Sequence, residues 1–475
     1  MDNYTHPSLQ EVEIAIAKRS YIEWMKYNWM NPRKPLVVGR PTIEISNTID
    51  WCLERYRKGT SSTVIINVPP RNGKSDQVSR FLAPRFLGEF PDEEVLIVSY
   101  NQEKTKEFNR FSRSLIESAP YKNAYPEITL DQRNRSVKEF GVQLQGKTVV
   151  GKSQYAGFQG GVAGKGSALL IIDDYLRNRK DAESQIVRNG IFEEFESGML
   201  TRLEEVYIFI ILATRWHPDD LTGRIIEEDS IKIDRHIILP ALSEEYESGT
   251  LFPERFPLEK VLLKKKQISS YAFNSLYQQE PTLRGGNIFK YENIIEVDKE
   301  PDIFKNANLV RCWDIASSDP SKNDWTVGIK GKYIVVNKLE YIYIDSIDRF
   351  QKTSVYRDRI IKDRAESEKI RVGIECYGPY KDTFNNIKHV IKGVCTLKPL
   401  TPPGSKEVKA EPLEPIIEFN RFYINAKNCK RHLDELKKEI KEFPSSKHDD
   451  IVDAIALIWW LHKQTSSNQY LKIAF

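Results

Sequence analysis

The sequence predicts an α/β protein with two sheets: a mostly parallel sheet covered by helices on both faces, followed by a mixed sheet. Between residues 60 and 240, short apolar runs such as STVIINV and SALLIIDD alternate with helical stretches. Strands that are apolar throughout are typical of a parallel sheet buried on both faces. From residue 308, close-spaced runs such as KYIVVN and EYIYIDSI predict an antiparallel meander, followed by a closing helix over 449–462.

Length and composition are those of a globular protein with two or three domains. The chain has 475 residues, of which 40% are hydrophobic and 29% charged, and its formal net charge is +4. This mild charge does not by itself indicate nucleic acid as a partner. The five cysteines are widely spaced, which disfavours a disulfide framework or a zinc cluster. Without a signal pattern or an apolar run near ~20 residues, the chain is expected to be intracellular and away from membranes.

Residues 64–75, VIINVPPRNGKS, combine an apolar strand with the end of a phosphate-binding loop. The predicted phosphate-binding residues are Asn72, Gly73, Lys74 and Ser75. In this pattern backbone N–H groups face the phosphates, Lys74 neutralises charge on the β- and γ-phosphates, and the Ser75 hydroxyl ligates Mg²⁺. Val68 replaces the glycine that usually opens the loop, so the chain enters by a stiffer path through two prolines.

Two further apolar strands end in polar residues that suit the same site. LLIIDD places Asp173 and Asp174 where one carboxylate orders Mg²⁺ and the other activates water, although a helix N-cap would also explain them. VYIFIILATRW ends in Thr214 and Arg215, and a polar side chain there can sense the γ-phosphate. Arg71, inside the loop, can stabilise transition-state charge. Together these residues predict an ATP–Mg²⁺ site in which Asp174 and Arg71 are catalytic.

A second group of carboxylates follows strands of the C-terminal half. They are Asp314 after VRCW, Glu375 after RVGI, and Asp449, Asp450 and Asp453 at the start of the helix DDIVDAIALIWWL. Acids that converge in this way repel one another unless they hold cations. The group therefore predicts two divalent ions, Mg²⁺ or Mn²⁺, that activate a water and stabilise the leaving oxygen of a phosphodiester. Taken singly, Asp449 and Asp450 would also be explained by a favourable interaction with the helix dipole.

Four other side chains are weaker candidates. Asp345, at the end of YIYID, and His448 suit positions just outside the metal ligands. Lys406 and Lys409 precede a helix and could meet a DNA backbone, although lysines in such places are more often simply solvated. Residues 36–45, LVVGRPTIEI, are a candidate for adenine contacts.

With both groups of motifs, the chain resembles the large subunit of tailed-bacteriophage terminases, the DNA-packaging motors. The resemblance runs from about residue 40 to 463 through VPPRNGKS, GVAGKGSALLIIDD, ILATRWHPDDLTGRI, SLYQQEPTLRGGNIF, WDIASS, GIECYG and HDDIVDAIAL. TRWHPDDLTGR and QQEP have no general structural explanation and make the resemblance specific. It implies a P-loop NTPase domain that drives double-stranded DNA into the procapsid, followed by an RNase H-like endonuclease domain that cuts concatemeric DNA.

The resemblance also implies a role for each motif residue. Lys74 and Ser75 match the Walker A positions, Asp173 the Walker B carboxylate, Arg71 the loop arginine, and Thr214 with Arg215 the coupling motif. Asp174 stands where many members have the catalytic Glu. Lys165 stands where relatives often carry an Arg that acts across the subunit boundary, and a Lys lacks the bidentate fork. In the nuclease, Asp314, Glu375 and Asp450 match the metal-binding triad, with Asp449 as the alternative third ligand.

The implied domain boundaries divide the chain into four parts. They are a helical segment packing on the ATPase (1–50), the P-loop ATPase (51–245), a connector (246–305) and the RNase H-like endonuclease (306–475). The implied partners are double-stranded DNA, the small terminase subunit and the portal protein, with a pentameric ring on the portal and a monomer in solution. The implied location is the host bacterial cytoplasm, with transient binding to the procapsid portal.

Three alternatives remain on the sequence alone. A P-loop repair helicase-nuclease would carry further helicase motifs, and none follows the TRW segment. An RNase H-like resolvase or integrase with an ATP-gated switch domain would prefer branched DNA. A prophage remnant acting as a structural or binding protein would not need the motif acids and lysines, all of which are present.

Overall fold

In the computed structural model the described residues are 7–31, 33–144, 150–158, 166–284, 288–315, 325–376, 380–402, 405–446 and 448–470. The chain divides into two compact units. Unit 1 comprises Met1–Leu262 and Tyr271–Leu283, and unit 2 comprises Leu263–Ser270 and Arg284–Phe475. Lys165, the predicted trans-acting basic residue, lies outside the described residues.

Unit 1 contains an eight-stranded sheet with the order β3-β4-β5-β2-β6-β7-β1-β8. Its strands are β1 (Ser62–Asn67), β2 (Glu94–Ser99), β3 (Ile128–Arg135), β4 (Glu139–Leu144), β5 (Val150–Gly157), β6 (Ser167–Asp173), β7 (Leu203–Ala213) and β8 (Arg235–Ile238). Strands β3, β4 and β5 pair antiparallel, and every pairing from β5 to β8 is parallel. Successive residues of β1 enter different apolar clusters, Ile66 on one face and Ile65 on the other. Both faces are therefore covered, as the continuous apolar runs predict.

Helices cover this sheet. They are α1 (Leu9–Arg19), α2 (Tyr21–Tyr27), α3 (Arg40–Arg57), α4 (Leu82–Glu89), α5 (Gln102–Glu117), α6 (Ala119–Ala124), α7 (Arg179–Glu183), α8 (Gln185–Glu194) and α9 (Leu221–Glu228). Two more follow in the chain, α10 (Leu258–Gln267) and α11 (Ser270–Leu276). The buried side of α2 and α3 places Trp24 and Ile49 in the same apolar cluster as β1, so the N-terminal helices belong to the core of unit 1.

Unit 2 contains a seven-stranded mixed sheet with the order β14-β13-β10-β11-β12-β15-β9. Its strands are β9 (Ile294–Val297), β10 (Leu309–Asp314), β11 (Thr326–Val336), β12 (Leu339–Phe350), β13 (Arg371–Glu375), β14 (Leu397–Leu400) and β15 (Phe422–Asn425). Strands β10, β11 and β12 form the antiparallel meander, and the remaining pairings are parallel. The predicted fold class, a mostly parallel sheet followed by a mixed one, is confirmed.

The helices of unit 2 flank its sheet. They are α12 (Ser354–Glu368), α13 (Tyr380–Val390), α14 (Lys406–Ala410), α15 (Leu413–Glu418), α16 (Ala426–Cys429), α17 (Leu433–Glu442) and α18 (Asp450–Tyr470). The first turns of α18 are buried and pack against β10 and β11, which fixes the acidic start of this helix near the end of β10. Among the helices of the described residues, none has the length and apolar character required to cross a membrane.

Candidate nucleotide site and acidic cluster

Strand order brings the predicted nucleotide-binding residues of unit 1 together. Strand β7 lies between β1, which leads into the GKS loop, and β6, which ends at Asp173. All three strands are parallel, so their carboxyl ends lie on the same edge of the sheet. Ligands of open α/β sheets bind at this edge.

Side-chain contacts at this edge link the loop to both aspartates. Lys74 Nζ donates to Thr214 Oγ1 at 2.6 Å and lies 3.3 Å from Asp174 Oδ1. Ser75 Oγ donates to Asp173 Oδ1 at 2.9 Å, and Ser79 Oγ donates to the other oxygen of Asp173. The hydroxyl and carboxylate expected to share Mg²⁺ are therefore direct neighbours.

Thr214 connects three strand ends. Its hydroxyl donates to the Val68 carbonyl at 3.1 Å, and its backbone N donates to Asp174 Oδ1 at 3.3 Å. The Lys74 ammonium donates to the same hydroxyl. If the charge opposite Lys74 changes, the Thr214 side chain can transmit that change to the end of β7. This position suits the sensing role predicted for Thr214.

The loop conformation explains how the chain manages without the opening glycine. Gly73 has φ 82°, and Arg71 also adopts a positive φ of 64°. Asn72 donates from its side-chain amide to the carbonyls of Pro69 (3.3 Å) and Pro70 (3.2 Å), so it holds the entrance of the loop closed on itself. Arg71 is exposed at the surface of the loop.

Lys104 was not predicted, although it contacts both aspartates. It lies in the first turn of α5, after β2, and its Nζ is 3.1 Å from Asp173 Oδ1 and 3.1 Å from Asp174 Oδ2. Burial acts to lower the pKa of Lys104, but the two carboxylates outweigh it and raise the pKa above its ordinary value. The ammonium group thus offsets part of the negative charge of the acid pair, and Lys74 contributes at Asp174.

The pKa values of Asp173 and Asp174 are shifted in opposite directions. Burial raises the pKa of Asp173, against the opposing charge of Lys104. Burial also acts to raise the pKa of Asp174, but Lys74 and Lys104 together hold it below its ordinary value. Asp174 is therefore the more readily ionised member of the pair, which suits a carboxylate that orients water.

Arg215 is placed away from the Lys74 contacts. Its guanidinium Nε is 3.0 Å from both oxygens of Asp220, a residue with no exposed surface. Asp220 also caps α9 by accepting from Gly223 N at 3.0 Å, and it accepts from Trp216 N at 3.1 Å. Arg215 and Asp220 therefore hold the loop that follows β7 in one shape.

Replacing Arg215 with alanine is expected to destabilise the protein by about 3–5 kcal/mol, because it leaves the Asp220 charge buried and unpaired. Urea unfolding measures this change. Arg177→Ala is the matched control, since Arg177 pairs with Asp181 at 65% side-chain exposure and its loss should cost about 1 kcal/mol or less. Equal losses for the two variants would contradict the structural role of Arg215.

In unit 2, register places the first two predicted acids side by side. Strands β10 and β13 are parallel neighbours, and Trp313 pairs with Ile374. Asp314 and Glu375 are the next residues on these strands. The sequence-based prediction that acids converge at adjacent strand ends therefore agrees with the geometry.

Two lysines lie among the acids. Lys409 is 6% exposed, and its Nζ lies 2.9 Å from Glu375 Oε2 and 3.4 Å from Asp453 Oδ2. Lys406 Nζ lies 2.6 Å from Asp449 Oδ1. The suggested contact of Lys409 with a DNA backbone does not fit this burial, because α14 packs against α18 and carries the ammonium into the cluster.

Charge and burial make this cluster a suitable place for cations. Burial raises the pKa of Asp314 to about 7, with Lys409 opposing and the neighbouring acids adding to the rise. Burial likewise raises the pKa of Asp453 to about 7. Asp449 Oδ2 and Asp453 Oδ1 are buried and have no hydrogen-bond partner within the described part of the chain. Oxygen ligands of this kind fit Mg²⁺ or Mn²⁺.

The carboxylates are not arranged as a ready-made metal site. Over the described residues, no group of three or more His, Cys, Asp or Glu side chains is arranged in this structure to hold a metal ion. Instead, Lys406 supplies positive charge to Asp449 Oδ1, and Lys409 supplies it to Glu375 Oε2. The two outer candidates differ: Asp345 Oδ2 pairs with Lys330 at 2.6 Å, whereas His448 Nδ1 lies 3.9 Å from Asp450 Oδ2, next to the cluster.

Glu439 supports the helix that carries the acids. Its Oε2 accepts from the backbone N of Ile451 at 2.8 Å and of Val452 at 3.3 Å, in the first turn of α18. Burial raises the pKa of Glu439 from 4.5 to about 8, the two backbone bonds oppose the rise, and the Asp450 charge adds to it. The protonated form therefore favours the fold, and this contribution is lost as the pH rises from 4.5 through about 8.

Glu439→Gln keeps an acceptor oxygen and removes the titration. Its stability relative to the wild type is expected to increase with pH between about 5 and 8, by up to about 1.4 kcal/mol per pH unit. Thermal or urea unfolding across this pH range, in metal-free buffer, measures the difference. Glu366→Gln, at an exposed position on α12, is the control, and parallel pH curves for Glu439→Gln and wild type would contradict the expectation.

A comparison with family models identifies the second unit. Residues 311–459 match the model described as "Terminase RNaseH-like domain". This range contains Asp314, Glu375, Asp449 and Asp450. The match confirms the predicted resemblance to terminases and the RNase H-like fold, and it does not favour the helicase-nuclease or resolvase alternatives.

Solved structures show a distant likeness. The large terminase of a thermophilic bacteriophage (crystal form 2) is 11% identical, with 86% of this chain and 97% of that chain covered and a TM-score of 0.48. The HK97 bacteriophage large terminase is 10% identical, with 96% and 100% covered and a TM-score of 0.39. The P22 large terminase nuclease domain is 16% identical, with 38% and 95% covered and a TM-score of 0.29. No curated protein matches. The assignment therefore depends on the family model and on the chain's own residues.

Proposed function

Residues 311–459 match the family model of a terminase RNaseH-like domain, and from that premise we propose that this chain is the large subunit of a DNA-packaging terminase. It couples ATP hydrolysis to translocation of double-stranded DNA into a procapsid and cuts concatemeric DNA. The observation that carries the motor half of the proposal is the contact of Ser75 with Asp173 beside the Lys74–Asp174 pair, at the carboxyl edge of a parallel sheet.

In the ATPase, each residue of unit 1 has a defined task. Lys74 neutralises charge on the β- and γ-phosphates, and Asp174 orients the attacking water. Mg²⁺, held by Ser75 and Asp173, would supply charge neutralisation at the phosphates. Arg71 stabilises charge in the transition state from the exposed side of the loop. The Lys104 ammonium lies 3.1 Å from Asp173 Oδ1 and would therefore compete with Mg²⁺ for this oxygen.

Coupling to movement follows from Thr214 and Arg215. Thr214 contacts Lys74, and the next residue is tied to the buried Asp220. Loss of the γ-phosphate removes negative charge opposite Lys74. Because Lys74 binds Thr214, this change is transmitted to the loop after β7, which Asp220 stabilises. DNA gripped by its phosphates is bound without base reading, so affinity falls steeply with salt.

In the nuclease, the carboxylates of unit 2 would hold divalent ions and orient the reacting groups. The ligands are Asp314, Glu375 and either Asp449 or Asp450, with Asp453 adjacent. Two Mg²⁺ or Mn²⁺ ions at this cluster would activate water and stabilise the leaving oxygen. In the absence of metal ions, Lys409 pairs with Glu375 and Asp453 and so lowers the cost of burying their negative charges.

The proposed partners follow from this function. They are double-stranded DNA, the small terminase subunit, the portal protein and further copies of this chain in a pentameric ring on the portal. In solution the chain is a monomer. The proposed location is the host bacterial cytoplasm, with transient binding to the procapsid.

A packaging reaction tests the proposal. Purified chain, procapsids and labelled linear duplex DNA are mixed with ATP, and DNA that becomes resistant to added DNase is measured. ATP-dependent protection is expected, whereas ATP-dependent unwinding of a forked duplex without protection would favour a helicase-nuclease. Cleavage restricted to branched DNA, with ATPase activity unaffected by DNA, would favour a resolvase.

A further inference from the structure

The open side of Gly73 in the phosphate-binding loop faces two nitrogen donors. A Cβ built on Gly73 would lie 3.5 Å from Gln77 Nε2 and 3.8 Å from Arg255 Nη1, and among the described residues other than its two chain neighbours no further atom comes within 4 Å. Both atoms carry N–H groups, and one belongs to a cation. The space beside the loop therefore has the chemistry of an anion site.

Gln77 is buried without using its side-chain acceptor. It is 3% exposed, and its Oε1 has no hydrogen-bond partner in the described part of the protein. Its backbone is fixed, because its N donates to the Gly73 carbonyl at 3.0 Å and its own carbonyl accepts from the Tyr21 hydroxyl. The amide is therefore held in place with its Nε2 N–H groups beside Gly73, where a phosphate oxygen could accept from them.

Arg255 reaches the loop from a turn that is itself anchored. Its guanidinium lies over the Phe252 ring at 5.1 Å. Phe252 is 1% exposed and packs against Gly39, where an added Cβ would be 2.5 Å from the ring. Gly39 is the N-cap of α3 and lies within residues 36–45, the candidate segment for adenine contacts. The turn thus joins that segment to the phosphate-binding loop.

Within the part of the chain that the structure describes, Arg255 differs from the lysines of this site in forming no ion pair. Lys74 and Lys104 each contact aspartates of the site. For Arg255, no carboxylate forms an ion pair among the residues that the structure describes, and its recorded side-chain contact is the Phe252 ring. A planar guanidinium fork matches the oxygens of a phosphate.

We propose that Arg255 and Gln77 bind the phosphate chain of ATP beside Gly73, with Arg255 supplying a second cation on the same chain as Lys74. This inference rests on the proposed nucleotide site. It assigns a ligand contact to residues that no sequence motif indicates.

Competition binding tests the inference on the full-length chain. Fluorescent mant-ADP is bound in Mg²⁺ buffer and displaced with ATP, tripolyphosphate or adenosine. Arg255→Ala is expected to weaken ATP and tripolyphosphate about tenfold and to leave adenosine unchanged, since it removes a charged hydrogen bond to phosphate. Arg255→Lys should lose less than Arg255→Ala, and Gln77→Leu, which keeps the side-chain bulk, should weaken both phosphate ligands about fivefold.

Arg133→Ala is the matched control. Arg133 is 75% exposed on β3, at the edge of the sheet opposite β1 and β8, and its removal makes the same charge change. Unchanged tripolyphosphate binding in Arg255→Ala, or equal weakening of adenosine and tripolyphosphate, would overturn the inference while leaving the nucleotide site in place. If the wild type failed to bind mant-ADP and Lys74→Ala made no difference, the proposed function of the loop and this inference would both fall.

Discussion

Lys74→Ala is expected to reduce ATP hydrolysis by about 10²-fold or more and to weaken nucleotide binding. The ammonium lies 2.6 Å from Thr214 Oγ1 and 3.3 Å from Asp174, where it can face the β- and γ-phosphates. Removing a fixed charge from the place where transition-state charge develops costs on the order of 10²–10³ in rate. Phosphate release under saturating DNA and MgATP measures the effect.

A surface lysine of the same unit gives the control for this variant. Lys58 pairs with Glu54 at 68% side-chain exposure, so Lys58→Ala removes the same charge with no expected effect on turnover. DNA cleavage by Lys74→Ala should remain when ATP is not required, because the acidic cluster is in unit 2. Full ATP turnover in Lys74→Ala would refute the assignment of the loop.

The second large effect is expected for Asp314→Asn in the nuclease. Plasmid cleavage with Mg²⁺ or Mn²⁺ should fall on the order of 10³-fold, the equivalent of about 4 kcal/mol of lost charge stabilisation. DNA-stimulated ATP hydrolysis should be retained. Undiminished cleavage would remove Asp314 from the metal site.

A stability measurement accompanies this prediction. Burial raises the pKa of Asp314 to about 7, so above that pH its ionised form disfavours the fold in the absence of metal. Asp314→Asn should therefore be more stable than the wild type at about pH 8 in metal-free buffer, and the difference should shrink below about pH 6. Asp298→Asn, at an exposed position of the same unit, should change neither cleavage nor stability.

The polar residues at the strand ends could be predicted, because an apolar run followed by a polar residue can be recognised from the sequence alone. Lys74, Ser75 and Asp173 were expected at one edge of a parallel sheet, and the structure brings them together. The position of β7 between β1 and β6 could not be predicted, since the sequence gives the strands but not their order. That insertion is what places Thr214 against Lys74.

Side chains that reach a site from a distant element were harder to foresee. Lys104 matters only because β2 is the neighbour of β6, so that the helix after β2 starts beside the aspartates. Lys409 looked like a solvated residue before a helix, and only the packing of α14 on α18 places it among carboxylates. Long-range neighbours of this kind have no local pattern.

Strand β9, at one edge of the mixed sheet, determines where a separate nuclease fragment should begin. Strand β9 pairs with β15, and Ile294 lies opposite Phe422. A fragment that begins at residue 306, the boundary expected from the sequence, would lack β9 and leave the buried strand β15 with an unpaired apolar edge. Such edges invite aggregation by strand addition. A soluble nuclease fragment should therefore begin upstream of Phe289, whose ring also stacks on Phe443.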